Sequence, residues 1–178
     1  MGIIVKDAVI LDSSGFYSGL AFSMKNFYTT KGVLKEISHI KLSKLALESL
    51  LEQGLIKVDE GKKEHFKKVI EVAKRSGDFK RLSKTDLSLL ALALKLKDEN
   101  FDSLIVSDDY SLCNVAKLLN LKVTTSVTRG ITKVIRWIVY CKSCKKVFGE
   151  YDVKVCDVCG SPLARKPRGK LKKKAKVS

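Results

Sequence analysis

Over its first two thirds, the chain alternates between short apolar runs and longer segments with apolar residues at helical spacing. Residues 7–11 (DAVIL) and 103–107 (SLIVS) have the length and composition of buried strands. Residues 62–76 place their apolar side chains on one helical face, and Gly77 follows where a helix can end. Residues 84–97 are the longest apolar helical segment. This pattern predicts an α/β fold in which helices cover both faces of a parallel sheet.

Shorter segments complete the predicted architecture. A polar loop is expected over residues 20–32, a linker over 126–133, and a strand over 134–140. The remaining predicted elements are strands over 54–58 and 122–125, and helices over 13–23, 33–40, 42–53 and 110–119.

Basic residues are concentrated at the end of the sequence. The chain has 35 Lys+Arg against 19 Asp+Glu, a formal net charge of +16, and residues 165–178 alone carry +8. That segment has almost nothing apolar to bury, so we expect a disordered basic tail, either solubilising or bound to a polyanion. The charge favours nucleic acid over a membrane surface as the partner. Apolar runs are too short to span a bilayer and no signal-peptide pattern is present, so we expect a soluble, cytoplasmic protein.

Four of the five cysteines form two Cys-x-x-Cys pairs separated by eleven residues: Cys141, Cys144, Cys156 and Cys159. Each such turn directs two sulfurs to one point, and two turns supply the four thiolates of a tetrahedral zinc shell. Two disulfides would need an oxidising compartment, and a redox pair would need a βαβ setting that this segment lacks. We therefore predict a closed, structural Zn²⁺ site. Cys113 stands apart and is expected to be a small core residue.

Acidic residues follow the predicted strands. Asp12 comes after residues 7–11, Asp108 and Asp109 come after residues 103–107, and Asp86 lies in the first turn of the long helix. Because parallel strands end at one edge of a sheet, we expect these carboxylates to meet there. Oxygen ligands favour Mg²⁺ or Mn²⁺, which can activate water for phosphodiester cleavage. Helix capping is a competing explanation for Asp12, Asp86 and Asp108.

Four segments resemble the acidic motifs of PIN-domain nucleases. They are VILDSSGF at 9–16, VLKEI at 33–37, LSKTDLSLLALAL at 82–94 and IVSDDYSLCNVA at 105–116. Together with VIRWIVYCKSC at 134–144 and CDVCG at 156–160, they are similar to the Nob-type ribosome-assembly endonucleases. In that family a PIN domain is joined to a zinc ribbon, and the enzyme trims the 3′ end of small-subunit ribosomal RNA. The resemblance covers about residues 5–163.

The resemblance implies roles for individual residues. Asp12, Glu36, Asp86 and Asp109 would be the catalytic, metal-holding carboxylates, and Glu36 could instead orient water. Asp109 is preferred over Asp108 because Ser107-Asp108-Asp109 matches the family's Thr/Ser-x-Asp pattern. Ser107, Ser13 and Asp108 would lie around these carboxylates, the two serines orienting them by hydrogen bonds. Expected RNA contacts are Arg129, Lys133, Arg136, Lys142, Lys145 and Lys146.

The implied organisation is a PIN-like domain over 1–125, a linker over 126–133, a zinc ribbon over 134–164 and the tail over 165–178. The implied activity is a metal-dependent, single-strand endoribonuclease acting on precursor small-subunit rRNA within the pre-ribosome, with assembly factors as further partners. Two alternatives stay open: a toxin-type PIN ribonuclease with another RNA target, and a non-catalytic RNA-binding assembly factor.

Overall fold

Two structural units make up the chain, Met1–Val134 and Ile135–Ser178. The structure, a computed structural model, describes residues 6–24, 26–38, 41–126, 137–148 and 153–167.

A five-stranded, fully parallel sheet forms the centre of the first unit, with strand order β3-β2-β1-β4-β5. The strands are β1 (Lys6–Leu11), β2 (Phe27–Thr29), β3 (Ile56–Val58), β4 (Phe101–Val106) and β5 (Lys122–Thr124). In this order β1 and β4 are central and paired over their whole length. Apolar composition predicted these two strands because a central parallel strand is covered on both faces. The predicted fold class is confirmed.

Helices connect and flank the strands. They are α1 (Ser13–Tyr17), α2 (Leu20–Ser23), α3 (Lys31–Ile37), α4 (Lys41–Glu52), α5 (Lys63–Ser76), α6 (Lys84–Asp98) and α7 (Tyr110–Leu118). A 3-10 turn, Phe79–Arg81, precedes α6. Helix α5 ends at Gly77, whose φ of 79° lies in the left-handed region. None of the helices in the described part of the chain is both long and apolar enough to cross a membrane.

Helix α6 is buried around most of its circumference. Every residue from Leu89 to Leu94 is at most 2% exposed, which agrees with an apolar pattern that has no polar stripe. Each fully buried leucine contributes about 1.5–3 kcal/mol relative to an exposed one. The loop before α5 packs directly on this helix, because a Cβ at Gly61 would come 2.5 Å from the Ala91 carbonyl carbon. A Gly61→Ala substitution would therefore force the loop away from α6.

The predicted polar loop over residues 20–32 is wrong. This stretch contains α2 and β2, and Phe27 of β2 is fully buried with its ring 5.7 Å from that of Phe16 in a T-shaped contact. A three-residue strand is too short to show a periodic pattern, so only its pairing with β1 reveals it. The predicted helix over 13–23 is likewise two helices, because Gly19 between them has a φ of 80°.

The second unit is built on a three-stranded antiparallel sheet of order β7-β6-β8. Its strands are β6 (Trp137–Cys141), β7 (Val147–Phe148) and β8 (Leu163–Pro167). Strand β8 runs past the predicted start of the tail at residue 165, which corrects that boundary. The basic side chains at this point lie on aromatic rings: Arg165 is 4.3 Å from the Trp137 ring centroid and Lys166 is 4.3 Å from that of Tyr140.

Candidate active site

The carboxyl ends of β1 and β4 bring two of the predicted acidic segments side by side. Leu11, the last residue of β1, is in register with Val106, the last residue of β4. The Asp12 backbone N–H extends this pairing by donating to the Val106 carbonyl oxygen at 3.1 Å. Asp12 and Ser107 are therefore held next to each other at the edge of the sheet, where ligands of parallel α/β sheets bind.

Asp12 is the most buried of the predicted site carboxylates, at 6% exposure. The Ser107 hydroxyl donates to its Oδ2 at 2.7 Å, and the Ser13 backbone N–H donates to its Oδ1 at 2.7 Å. Burial raises the pKa of Asp12, these hydrogen bonds oppose the rise, and the negative charge of Glu36 adds to it. A buried, oriented carboxylate with a raised pKa is suited to a site that a cation completes.

Asp86 is held by the start of α6. The Ser83 backbone N–H donates to Asp86 Oδ2 at 2.7 Å, and the Asp86 N–H donates back to the Ser83 hydroxyl at 3.1 Å, so the capping alternative is correct for this residue. Burial raises the pKa of Asp86, and the charges of Asp12 and Asp109 raise it further. Helix capping thus occupies one oxygen of Asp86, and the carboxylate still lies close enough to Asp12 and Asp109 to interact with their charges.

Asp109 and Asp108 have different surroundings. Asp109 caps α7, accepting the Leu112 N–H on Oδ1 at 2.8 Å, while its own N–H donates to the Ser107 hydroxyl at 3.1 Å. Asp108 is instead bound by Ser126, whose backbone N–H donates to its Oδ1 at 3.0 Å and whose hydroxyl donates to Oδ2. Ser107 therefore links Asp109 to Asp12, whereas Asp108 is tied to the segment after β5.

Glu36 approaches the group from α3 and is exposed to solvent. Helix α3 begins after Thr30, whose hydroxyl accepts the Val33 N–H at 3.4 Å. Glu60 also fixes this helix end, because its two carboxylate oxygens accept the Lys31 N–H at 3.0 Å and the Ser88 hydroxyl of α6 at 2.5 Å. These contacts hold α3 so that Glu36 lies close enough to Asp12 for its negative charge to raise the pKa of Asp12.

The four carboxylates share one region without being tightly clustered. Among the described residues, the cysteines are the one group of three or more potential metal ligands whose ligand atoms lie within 4.8 Å of one another. In the same described part of the chain, none of the four carboxylates forms an ion pair with Lys or Arg. Their oxygen-only donor set fits a hard divalent cation, which would relieve their mutual repulsion.

The cysteine cluster lies in the second unit. Cys141 is the last residue of β6 and Cys144 lies in the turn that follows, while Cys156 and Cys159 flank a second turn that ends at Gly160, with a φ of 68°. Sulfur–sulfur distances across the two turns are 3.4 Å for Cys141–Cys159 and also for Cys144–Cys156. All four are free thiols, and their sulfurs could hold one metal ion.

Backbone and hydroxyl donors favour the thiolate form of Cys141 and Cys159. For Cys144, the lowering effect of the Lys146 backbone N–H is outweighed by hydrogen bonding with the Cys156 thiol and by burial, which raise the pKa of Cys144 to about 12. The Ser161 hydroxyl and backbone N–H lower the pKa of Cys159 to about 6. The Cys144 backbone N–H, 3.5 Å from the Cys141 sulfur, lowers the pKa of Cys141. Cys113 behaves in the opposite way, since burial in α7 raises its pKa to about 12 and its thiol donates to the Ser107 carbonyl oxygen at 3.2 Å. It is a core residue outside the cluster.

The predicted RNA-contacting residues fall into two groups. Arg129, Lys133 and Arg136 lie outside the described residues. All three ribbon lysines are exposed, but two are engaged within the ribbon: Lys146 pairs with Asp157 at 2.7 Å, and the Lys145 ammonium donates to the Lys142 carbonyl oxygen at 2.7 Å. The Lys142 ammonium makes no such contact with any residue that the structure describes.

Two serines near the site were not predicted. The Ser14 hydroxyl accepts the Asp108 N–H at 3.2 Å, and Ser126 binds the Asp108 carboxylate. The Ser14 contact joins segments about a hundred positions apart in sequence, and the Ser126 contact joins segments about twenty positions apart. No local pattern marks Ser126, whereas Ser14 directly follows the predicted Asp12-Ser13 pair and could have been considered with it.

Comparisons with known proteins identify the family of this chain. Residues 9–96 match the family described as "PIN domain of ribonuclease", a segment that includes Asp12, Glu36 and Asp86. The chain is 41% identical over 167 residues to the endoribonuclease Nob1 of Pyrococcus abyssi, which covers 93% of this chain and 98% of that protein. It is 43% identical over 129 residues to the ribonuclease VapC1 of Thermoplasma acidophilum, covering 72% of this chain and 63% of that protein.

A third relative is more distant. The 20S-pre-rRNA D-site endonuclease nob1 of Schizosaccharomyces pombe is 36% identical over 94 residues, which is 51% of this chain and 24% of that protein. The Pyrococcus protein differs from the other two relatives because its alignment covers nearly the whole length of both chains. This alignment includes the cysteine segment that follows the nuclease unit. The chain therefore belongs to the Nob1 family of PIN-domain endoribonucleases.

Proposed function

We propose that this endoribonuclease cleaves single-stranded precursor rRNA and matures the 3′ end of small-subunit rRNA during ribosome assembly in the cytoplasm. The name of the Schizosaccharomyces relative, which specifies a 20S-pre-rRNA, supports an rRNA substrate. Nearly full-length similarity to the Pyrococcus Nob1 supports the same assignment. Assembly factors of the pre-ribosome are the further partners that this role would require.

One observation carries the catalytic part of the proposal: Ser107 joins Asp12 and Asp109 through its single hydroxyl. It donates to Asp12 Oδ2 at 2.7 Å and accepts the Asp109 N–H at 3.1 Å. The charges of Asp12 and Asp109 also raise the pKa of Asp86, which supports a common site for these three carboxylates from separate segments. We assign Asp12, Asp86 and Asp109 as the residues that would hold Mg²⁺ or Mn²⁺, with Glu36 as a ligand or water-orienting residue.

A divalent cation bound there would supply the positive charge that activates water and stabilises the departing oxygen. The chain's own residues have distinct tasks around it. Ser107 and Ser13 fix the Asp12 carboxylate so that it does not rotate away. Glu36, exposed at the rim, can accept at its carboxylate the proton that the attacking water loses. In-line attack at phosphorus would leave a 5′-phosphate and a 3′-hydroxyl.

The second unit has a supporting part in this proposal. We assign Zn²⁺ to the four cysteines, because four protein thiolates complete its shell and leave no position for chemistry. We propose that the ribbon and the segments flanking it contact the RNA backbone through Arg129, Lys133, Arg136, Lys142, Lys145 and Lys146. Lys142 is the best placed of the three ribbon lysines, since Lys146 would first have to leave Asp157. The assignment of residues 126–133 as a linker stays a prediction.

Cleavage mapping on a precursor rRNA that spans the 3′ junction tests the assignment. We expect one Mn²⁺-dependent cut by the wild type and no detectable cut by Asp12→Asn or in EDTA. Asp102→Asn is the matched control, because Asp102 is the second residue of β4, at the opposite end of the strand from the site, and pairs with Lys122 at 2.5 Å. Full cleavage by Asp12→Asn would refute the mechanism, whatever the cleavage position.

A ribonuclease acting on another RNA is the second candidate. It is favoured by the 43% identity to VapC1, which is higher than the 41% identity to the Pyrococcus Nob1, although the VapC1 alignment covers a shorter stretch of the chain. Sequencing RNA crosslinked to the inactive Asp12→Asn protein in cells separates the two. Enrichment of precursor rRNA supports the first candidate, and enrichment of tRNA or mRNA supports the second.

A further inference from the structure

A cavity of about 460 Å³ lies between α1, α3 and α6, lined by Tyr17, Gly32, Lys35, Glu36 and Thr85. We propose that it binds one nucleotide of the single-stranded RNA, next to the phosphate that is cut. In this subsite the Tyr17 ring stacks on the base and the Lys35 ammonium contacts a backbone phosphate. This inference rests on the proposed function and adds to it where the RNA lies.

The cavity adjoins the acidic site on two sides. Glu36 belongs to both, and Thr85 directly precedes Asp86. Tyr17 is the last residue of α1, the helix that Asp12 caps, so it lies about 7.5 Å farther along the helix axis than Asp12. A nucleotide in the cavity would therefore neighbour any phosphate bound at Asp12.

Tyr17 presents an aromatic ring to solvent at this place. It is 57% exposed, whereas the preceding Phe16 is only 6% exposed and packs in the core. A single exposed aromatic residue needs no explanation by itself. Here the ring forms the wall of a cavity beside a nuclease site, and unstacked RNA bases bind on exposed aromatic rings.

Lys35 and Gly32 complete the fit to a nucleotide. Within the described part of the chain, Lys35 forms no ion pair, so its charge is available at the rim of an otherwise acidic region. A Cβ at Gly32 would come 2.9 Å from the Thr85 hydroxyl oxygen, so helices α3 and α6 approach closely at this wall. The cavity thus has a bare backbone wall, a ring and a cation, which suit a flat base followed by a phosphate.

Steady-state cleavage of an RNA oligonucleotide with a mapped cleavage position tests the subsite. Loss of one base–aromatic stack predicts that Tyr17→Ala raises KM roughly tenfold, while Tyr17→Phe stays near the wild-type value. Phe22→Ala is the matched control, because Phe22 is 51% exposed on α2 and does not line the cavity. For Lys35→Gln, the slope of log binding constant against log salt concentration should fall by about 0.7, as for one lost phosphate contact.

Abasic substitution in the RNA identifies the nucleotide. At one position beside the cut, removal of the base that lies on Tyr17 should raise the KM of the wild type to that of Tyr17→Ala. The KM of Tyr17→Ala should not change when this base is removed. If the wild type cleaves the RNA, equal KM values for Tyr17→Ala and Phe22→Ala would overturn the subsite alone. A wild type that cleaves no RNA in any divalent metal would overturn the proposed function instead.

Discussion

The four cysteines and the four carboxylates are two ligand sets with opposite construction. Each cysteine pair comes from one short turn, and all four sulfur atoms lie within 4.8 Å of one another. The carboxylates come from four segments between residues 12 and 109, and within the described residues they do not meet that limit. The cysteine geometry is thus set by local backbone, and the carboxylate geometry by the packing of a whole unit.

The two metals would therefore have different effects on the protein. The second unit has a small sheet, and three of its described residues are buried, namely Val139, Cys141 and Cys156, so its metal would contribute to folding. The first unit has a large apolar core around α6 and places its acidic residues at the edge of that core. Its metal would serve chemistry on a scaffold that is already folded.

Loss of zinc binding in the second unit should give the largest effect. We expect Cys156→Ser to abolish the dispersed amide resonances of residues 137–167 in a two-dimensional NMR spectrum, because a unit this small lacks the core to fold alone. Resonances of the first unit should persist. Cys113→Ser is the control, since Cys113 lies in α7 and outside the cluster. An ordered ribbon in metal-free Cys156→Ser would contradict a structural role for the ion.

Separate substitution of the adjacent Asp108 and Asp109 tests which of them belongs to the carboxylate set. Asp109→Asn should lower cleavage by more than the roughly 10- to 100-fold that loss of a partner of a metal ligand costs. Asp108→Asn should cost less than that, because Asp108 is bound by Ser126 and not by Ser107. Single-turnover rates measured against Mn²⁺ concentration would show this. The assignment is wrong if the two variants lose equal activity.

The pH dependence of stability should give the smallest effect. Burial raises the pKa of Asp12 above the ordinary value of 3.8, so the folded state holds this proton more tightly than the unfolded state. The resulting stabilisation is complete below that value and is lost as pH rises through the raised pKa. In chelator at neutral pH, Asp12→Asn should therefore have a higher free energy of unfolding than the wild type.

Urea denaturation at pH 7 and at pH 4, with and without Mn²⁺, measures this effect. The advantage of Asp12→Asn should shrink at pH 4 and when Mn²⁺ stabilises the wild type. Asp102→Asn should show no advantage, because it removes a surface carboxylate paired with Lys122. A wild type more stable than Asp12→Asn at pH 7 in chelator would contradict the burial argument.

Local sequence patterns predicted much of the fold and some of the site. The apolar runs of β1 and β4, the capping box of Ser83 and Asp86, and the helix end at Gly77 are all as expected. Strand β2 was missed because Phe27 is recognisable as a core residue only when it packs on Phe16. The tail was predicted to begin at residue 165, inside β8, because the basic residues there resemble a tail until they lie on aromatic rings.

The ligand types and their order along the chain are evident from the amino-acid sequence alone. The parallel α/β class and the cysteine spacing are evident from it too, because these depend on periodicity and on short turns. The folded unit is needed to show that Asp12 is buried, that Ser107 joins it to Asp109, and that Tyr17 lines a cavity beside Glu36. These features depend on contacts between distant segments, and a local pattern carries no information about which distant segments will meet.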